Sequence, residues 1–192
     1  MNLQQAGERV DLLSQLRQDH LNMAKLLDLI EAELAVFDAG DSPDYGLMFD
    51  IVHYLSNYPD QIHHPNEDLL FQRLLDRATA LRPTIDGLFG EHEQLAKSGH
   101  ELQALLEQIV DDAFVQRDVV HNQLLDYLGF FRRHIGTEER DVFPHAEQLL
   151  GTRDWLALNA EFAERVDPLF GDIIAHEYQA IADSLAPAAT GA

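Results

Sequence analysis

The sequence predicts an all-α protein, an up-down-up-down four-helix bundle with extra C-terminal helices, and three observations predict it. Apolar residues recur at three- and four-residue spacing through most of the 192 positions. The sustained polar/apolar alternation of a half-buried strand is hard to find. Four long periodic segments are joined by short breaks, and short connections make neighbouring helices antiparallel.

The first segment runs from about Glu8 to Phe37, with Leu12, Leu13, Leu16, Met23, Leu26, Leu27, Ile30 and Leu34 as its apolar stripe. "DAGDSP" ends it, and Ser42 next to Pro43 reads as the N-cap and first-turn pair of the second helix. The second segment extends to Ala78 and contains Pro59 and Pro65. Each proline removes a backbone hydrogen bond, so a kinked helix or two abutting pieces is expected there. The third runs from near Pro83 to Val110, and Asp111 or Asp112 is the expected cap of the fourth, which ends at Gly151. The remaining stretch reads as two shorter helices divided at Asp167–Pro168, with "PAATGA" as a frayed tail. The expected domains are therefore a bundle over residues 1–150 and a helical extension over residues 151–192, packed on it.

Composition narrows the chemistry. A hydrophobic content of 46% is ample for a core, and the chain has no cysteine. Disulfides, thiolate catalysis, iron–sulfur clusters and cysteine-bound zinc are excluded, so any metal must sit on histidine and carboxylate. With 34 acids against 13 bases the formal charge is −21, and basic residues do not cluster. Nucleic acid and anionic membranes are not expected partners. There is no apolar run long enough to span a bilayer and no charged, then apolar, secretory leader, so a cytoplasmic protein is expected.

Ten histidines carry the functional signal. His63 and Glu67 are four residues apart, about 40° of helical rotation, so both side chains point the same way and can hold one metal pair. His134 and Glu138 repeat the spacing. Chance readily supplies one such pair in a histidine-rich acidic chain, so the larger unit matters more. His20 precedes His63 by 43 residues and His92 precedes His134 by 42, so the whole pattern occurs twice with an offset of 71 or 72. Four imidazoles and two carboxylates facing the inside of a bundle suit two metal ions, with Fe, Mn or Zn compatible with the donors. Two histidines per metal with Glu67 and Glu138 bridging leaves positions for an oxo or hydroxo bridge and a small exogenous molecule. The bland alternative is a set of solvated polar residues, because burying them without a metal is costly.

The motifs "QDHLNMAKLLDLIE", "HHPNEDLLF", "EHEQL" and "FRRHIGTEERDVFPHA", spanning residues 18 to 148, resemble the hemerythrin-like family, in its HHE cation-binding branch. The resemblance implies a non-haem di-iron centre, two Fe ions held by His20, His63, Glu67, His92, His134 and Glu138. It also implies that dioxygen, nitric oxide or peroxide is the small ligand. Oxygen-carrying members have a second histidine one turn after the third-helix histidine, where this sequence has Ala96, and their fourth-helix acid lies one residue further on. The four-His, two-Glu pattern is also similar to the di-iron domain of bacterial iron–sulfur repair proteins of nitric oxide stress, which carry a cysteine-bearing N-terminal region as well. The resemblance admits three functional classes: a binding, storage or sensing protein, an enzyme that consumes the small ligand, and an iron donor for cluster repair. Whether there is turnover is left open.

The remaining polar residues have humbler expectations. His64 points about 100° away from its neighbour on an ideal helix and is read as a surface or peripheral residue. Asp19 and Glu91 each precede a lone histidine and diverge from it, so they are not read as its orienting partners. Asp68 and Glu139 are better placed for such roles, or are simply solvated. His53 is rotated about 80° from His63 and His145 lies about 16 Å from His134 on an ideal helix, so neither is read as a ligand. His100, His121 and His176 are expected to be exposed or locally hydrogen-bonded, and Tyr45, Tyr54, Tyr58 and Tyr127 to pack.

Overall fold

The three- and four-residue apolar spacing is realised as helix over most of the described residues, although the stretch after Pro168 is mostly turn and bend before the final helix begins. The computed structural model describes residues 12–162 and 166–186, so the start near Glu8 and the tail at 187–192 lie outside the described residues. Eight α-helices are present among them: α1 (Leu12–Asp38), α2 (Tyr45–Leu55), α3 (His64–Leu75), α4 (Arg82–Val110), α5 (Arg117–Thr137), α6 (Phe143–Leu149), α7 (Thr152–Glu161) and α8 (Gln179–Leu185). The described residues contain no strand, and no helix among them is long and apolar enough to cross a membrane.

Local chemistry moves several boundaries. α1 ends where Gly40 takes φ +90°, letting Asp41 N–H reach the Val36 carbonyl. The cap of α2 is Asp44, whose carboxylate accepts from Leu47 N–H at 2.9 Å, in place of the expected Ser42. The expected cap at Asp111 or Asp112 also fails. Asp112 adopts φ +60° at the end of α4, and α5 starts five residues later with Gln116 at its cap position. The second segment divides as expected, into α2 and α3, and a wide π turn at Pro59–His63 joins them, closed by His64 N–H on the Pro59 carbonyl. A matching π turn, Glu138–Val142, joins α5 to α6. Near the C-terminus, Asp167–Pro168 does separate two short helices, α7 and α8. Buried Asp167 accepts from Leu169 N–H, Phe170 N–H and the Tyr54 hydroxyl, which fastens this loop to α2.

The interior is two apolar cores. One holds Leu12, Leu13 and Leu16 of α1, Leu70, Phe71 and Leu74 of α3, Ile85 and Leu88 of α4, and Phe143 and Ala146 of α6. The other holds Met23 to Leu34 of α1, Met48 to Ile62 around α2, Leu95 to Leu106 of α4 and Val120 to Phe131 of α5. α1 and α4 thus run from the first core to the second, while α2–α3 and α5–α6 run back. Leu158 of α7 joins the first core, and Leu169, Tyr178 and Ile181 join the second. Between the cores, each of the four runs places histidine or glutamate at the same level.

Gly99 of α4 lies close against Ser56 and Tyr127. A Cβ there would lie 2.5 Å from Ser56 Oγ and 3.4 Å from the Tyr127 hydroxyl, so glycine is what admits α4 between α2 and α5. Gly99→Val is expected to cost about 1–3 kcal/mol through overpacking. A urea unfolding midpoint equal to that of the unsubstituted protein would show that the contact carries nothing.

Candidate metal centre

Each of the six expected residues reaches the layer between the two cores, and all are buried: Glu67 and Glu138 are 0% exposed, and the four histidines at most 7%. His20 comes from α1, His63 from the end of the first π turn, Glu67 from α3 and His92 from α4. His134 comes from the last turn of α5, and Glu138 opens the second π turn. The bland reading, which needed these residues in solvent, is not what the structure has.

The contacts obey an internal two-fold relation. Glu67 oxygens lie 3.2 Å from His63 Nε2, 3.3 Å from His20 Nε2 and 3.4 Å from His92 Nε2. Glu138 oxygens lie 3.2 Å from His134 Nε2, 3.3 Å from His20 Nε2 and 3.4 Å from His92 Nε2. Ring centroids are 4.9 Å apart in both the His20–His63 and the His92–His134 pair. Each carboxylate therefore faces imidazoles from both halves of the repeat.

Most of these approaches are not hydrogen bonds. His20 Nε2, His134 Nε2, both oxygens of Glu67 and Oε2 of Glu138 are buried without a hydrogen-bond partner among the described residues. Native interiors rarely leave such atoms unpaired. Two donors bound to one ion by bonds of about 2.1 Å, at tetrahedral or octahedral angles, stand about 3.0–3.4 Å apart. The observed separations match that spacing, and the donor set of imidazole and carboxylate fits a divalent cation.

A ring of outer carboxylates fixes the histidines. His20 Nδ1 is 2.8 Å from Glu139, His63 Nδ1 3.1 Å from Asp19, His92 Nδ1 3.0 Å from Asp68, and His134 Nδ1 2.9 Å from Glu91. A carboxylate accepts, so Nδ1 carries the proton and Nε2 is turned to the centre, the arrangement that orients metal-binding histidines. Asp68 and Glu139 take the peripheral roles expected of them. As expected, Asp19 and Glu91 do not orient the histidines beside them in sequence; each instead orients the histidine of the next helical run. Gln15 donates to the other oxygen of Asp19 at 2.7 Å and holds that carboxylate in place.

The electrostatics are those of a cation site. Burial works against charge on His20 and His92, but the surrounding carboxylates outweigh it, raising His20 well above the ordinary histidine value and His92 to about 11. Burial likewise penalises the Glu67 and Glu138 anions, and the adjacent imidazoles overcome it, so both stay well below the usual carboxylate range. His64 goes the other way, with burial lowering it to about 4.

Among the described residues, two groups place one donor atom from each member within 4.8 Å of all the others: His20, His63 and Glu67, and His64, Glu67, His92 and His134. Glu67 belongs to both. The sequence model described as Hemerythrin HHE cation binding domain matches residues 11–146. The chain belongs to this hemerythrin family. No curated protein matches it. The family accounts for a metal-binding site at this cluster.

His64 is the residue that spacing arguments missed. It is only 5% exposed, and its ring stacks on His92 with centroids 4.2 Å apart. The other histidines lie outside this cluster, and His53 and His121 are held by partners distant in sequence rather than by local bonds. His53 meets the Tyr178 hydroxyl at 3.2 Å, His121 meets Asp38 at 3.0 Å, and His100 and His145 bond to carbonyls one turn back on the surface.

Asp19→Ala and Glu91→Ala are each expected to lower metal affinity about 10–100-fold by releasing His63 and His134. Titration of the metal-free variants with ferrous iron under nitrogen measures this, and affinities equal to the parent protein's would remove the orienting role.

Proposed function

We propose that this chain is a hemerythrin-like non-haem di-iron protein that binds or reacts with dioxygen, nitric oxide or peroxide at an open iron position. His20 and His63 would hold one iron, His92 and His134 the other, and Glu67 and Glu138 would serve both. The supporting observation is the pair of fully buried carboxylates whose oxygens face imidazoles of both halves, most of them without hydrogen bonds. Iron is preferred over manganese or zinc because of the family.

The architecture belongs to the same reading: an up-down-up-down four-helix bundle over residues 1–150, with residues 151–192 as a helical extension packed on it. Its support is the alternating passage of the four helical runs between the two cores.

When bound in the reduced state, the iron pair would supply electrons to the small ligand. The protein's own residues bind, orient and exclude water. The outer carboxylates keep every Nε2 turned inward, Phe143 stacks on His20 at 5.4 Å, and Phe71 stacks on His92 at 6.0 Å. These rings and the two cores keep the site dry, so a ligand of a few atoms is favoured over a bulky substrate. Delivery of iron to an acceptor is a second reading. What favours it is that Asp68, Glu91 and Glu139 are each about a third exposed, so carboxylates lead from solvent to the inner ligands.

Anaerobic loading with ferrous iron is expected to give two irons per chain. A spectral change on admitting oxygen that reverses on degassing supports carriage or sensing. Irreversible oxidation of the iron supports redox turnover or iron delivery. His63→Ala and Glu138→Ala should each retain clearly less iron, and full iron content in both variants would sink the assignment.

A further inference from the structure

The two groups of metal-facing donors are unequal. One has two imidazoles, from His20 and His63; the other has three, because His64 joins His92 and His134. His64 is buried, with one ring nitrogen within 4.8 Å of the donor atoms of Glu67, His92 and His134. Its ring meets His134 edge-on at 5.9 Å in addition to stacking on His92.

A second feature sets His64 apart from a buried histidine that merely packs. Its Nδ1 lies 3.1 Å from Asp60 Oδ1. This is a fifth instance of the arrangement that Glu139, Asp19, Asp68 and Glu91 make with the other four histidines. Nδ1 is engaged by a carboxylate from outside, which leaves Nε2 as the nitrogen available to a cation. Asp60 sits in the π turn, one turn before His64, so the orienting group and the imidazole come from one continuous stretch.

The two halves of the chain differ at this point. The offset of 71 that relates His63 to His134 relates His64 to Ile135, a partly buried apolar residue packed on the second core. The fifth histidine thus has no counterpart, and the internal two-fold is broken on one side only.

We propose that His64 is a third imidazole ligand to the metal held by His92 and His134, so that the metal held by His20 and His63 is the less saturated one and receives the small ligand. This rests on the di-iron reading above and specifies which of its two positions is open. A small-ligand site at His20 and His63 also lies against Phe143, whose ring is parallel to His20 within 5°.

The test is ferrous loading of the full chain with iron-57 under nitrogen, then iron counting and Mössbauer spectroscopy, with nitric oxide added last as the probe. The parent protein is expected to show two unequal ferrous doublets, one of which is lost to nitric oxide at one equivalent. In His64→Ala, the doublet that nitric oxide left untouched should shift, or the iron behind it bind at least tenfold more weakly, while the other doublet stays. Asp60→Ala, which keeps the imidazole, should disturb the same doublet to a smaller degree and covers the case in which His64→Ala does not fold. Parent spectra and affinities in both variants overturn the His64 assignment and leave the di-iron reading standing. A parent protein that binds no stoichiometric iron overturns both.

Discussion

Keeping two carboxylates in the dry middle of the protein is the constraint around which the rest is arranged. Glu67 and Glu138 have no exposed surface, and an isolated buried anion costs several kcal/mol even after relaxation. Neither could persist among apolar side chains alone. The structure meets the cost with alternating charge running outward: inner carboxylates, then four imidazoles, then the carboxylates of Asp19, Asp68, Glu91 and Glu139, then solvent. The two apolar cores on either side serve the same end. They supply the burial that holds the helices together, and they exclude the water that would otherwise screen the polar layer.

The internal repeat explains how one chain builds so symmetrical a layer. Each half contributes a lone histidine, a His-x-x-x-Glu couple and two outer acids, and the acids work across helices. Asp19 and Glu91 serve the couple of their own half, while Asp68 and Glu139 serve the lone histidine of the other half. Removing any one helical run would therefore strip orienting groups as well as metal-facing ones. The symmetry is not carried through to the backbone. The first π turn ends at His63 and the second begins at Glu138, so the two couples sit differently on their helices. Wide turns of this kind are uncommon and gather at functional sites. Here one of them brings His64 into the interior, where the matching position of the other half holds an aliphatic residue.

The C-terminal residues brace both cores. Asp167 ties its loop to Tyr54 on α2, and burial together with that carboxylate drives the Tyr54 phenol far above its ordinary value. That phenol is a fixed hydrogen-bond donor. Tyr58 and Tyr127 are buried beside it in the second core, the packing role expected of them. Arg77 and Gly151 N–H both engage Asp154, which anchors α7 beside the end of α3. The C-terminal helices thus support the helical runs that carry the centre.

The all-helical fold and the six inner residues were legible in the sequence because both are local properties. Helical periodicity is set within a few residues, and the four-residue spacing of His63 to Glu67 and of His134 to Glu138 guarantees a shared face on any helix. Helix caps were less legible. Asp44 displaced Ser42, and Gln116 displaced Asp111 or Asp112, because a cap depends on a single dihedral angle that neighbouring contacts can shift. The outer carboxylates and His64 could be decided only by tertiary structure. Which acid meets which imidazole is a matter of how separate helices are rotated against one another, and no spacing along one helix encodes it. His64 looked peripheral because adjacent residues diverge on a helix. That holds for a helix buried on one face, but residues 62 to 64, 66 and 67 are all buried, so the segment is enclosed on several faces and diverging side chains can both point inward.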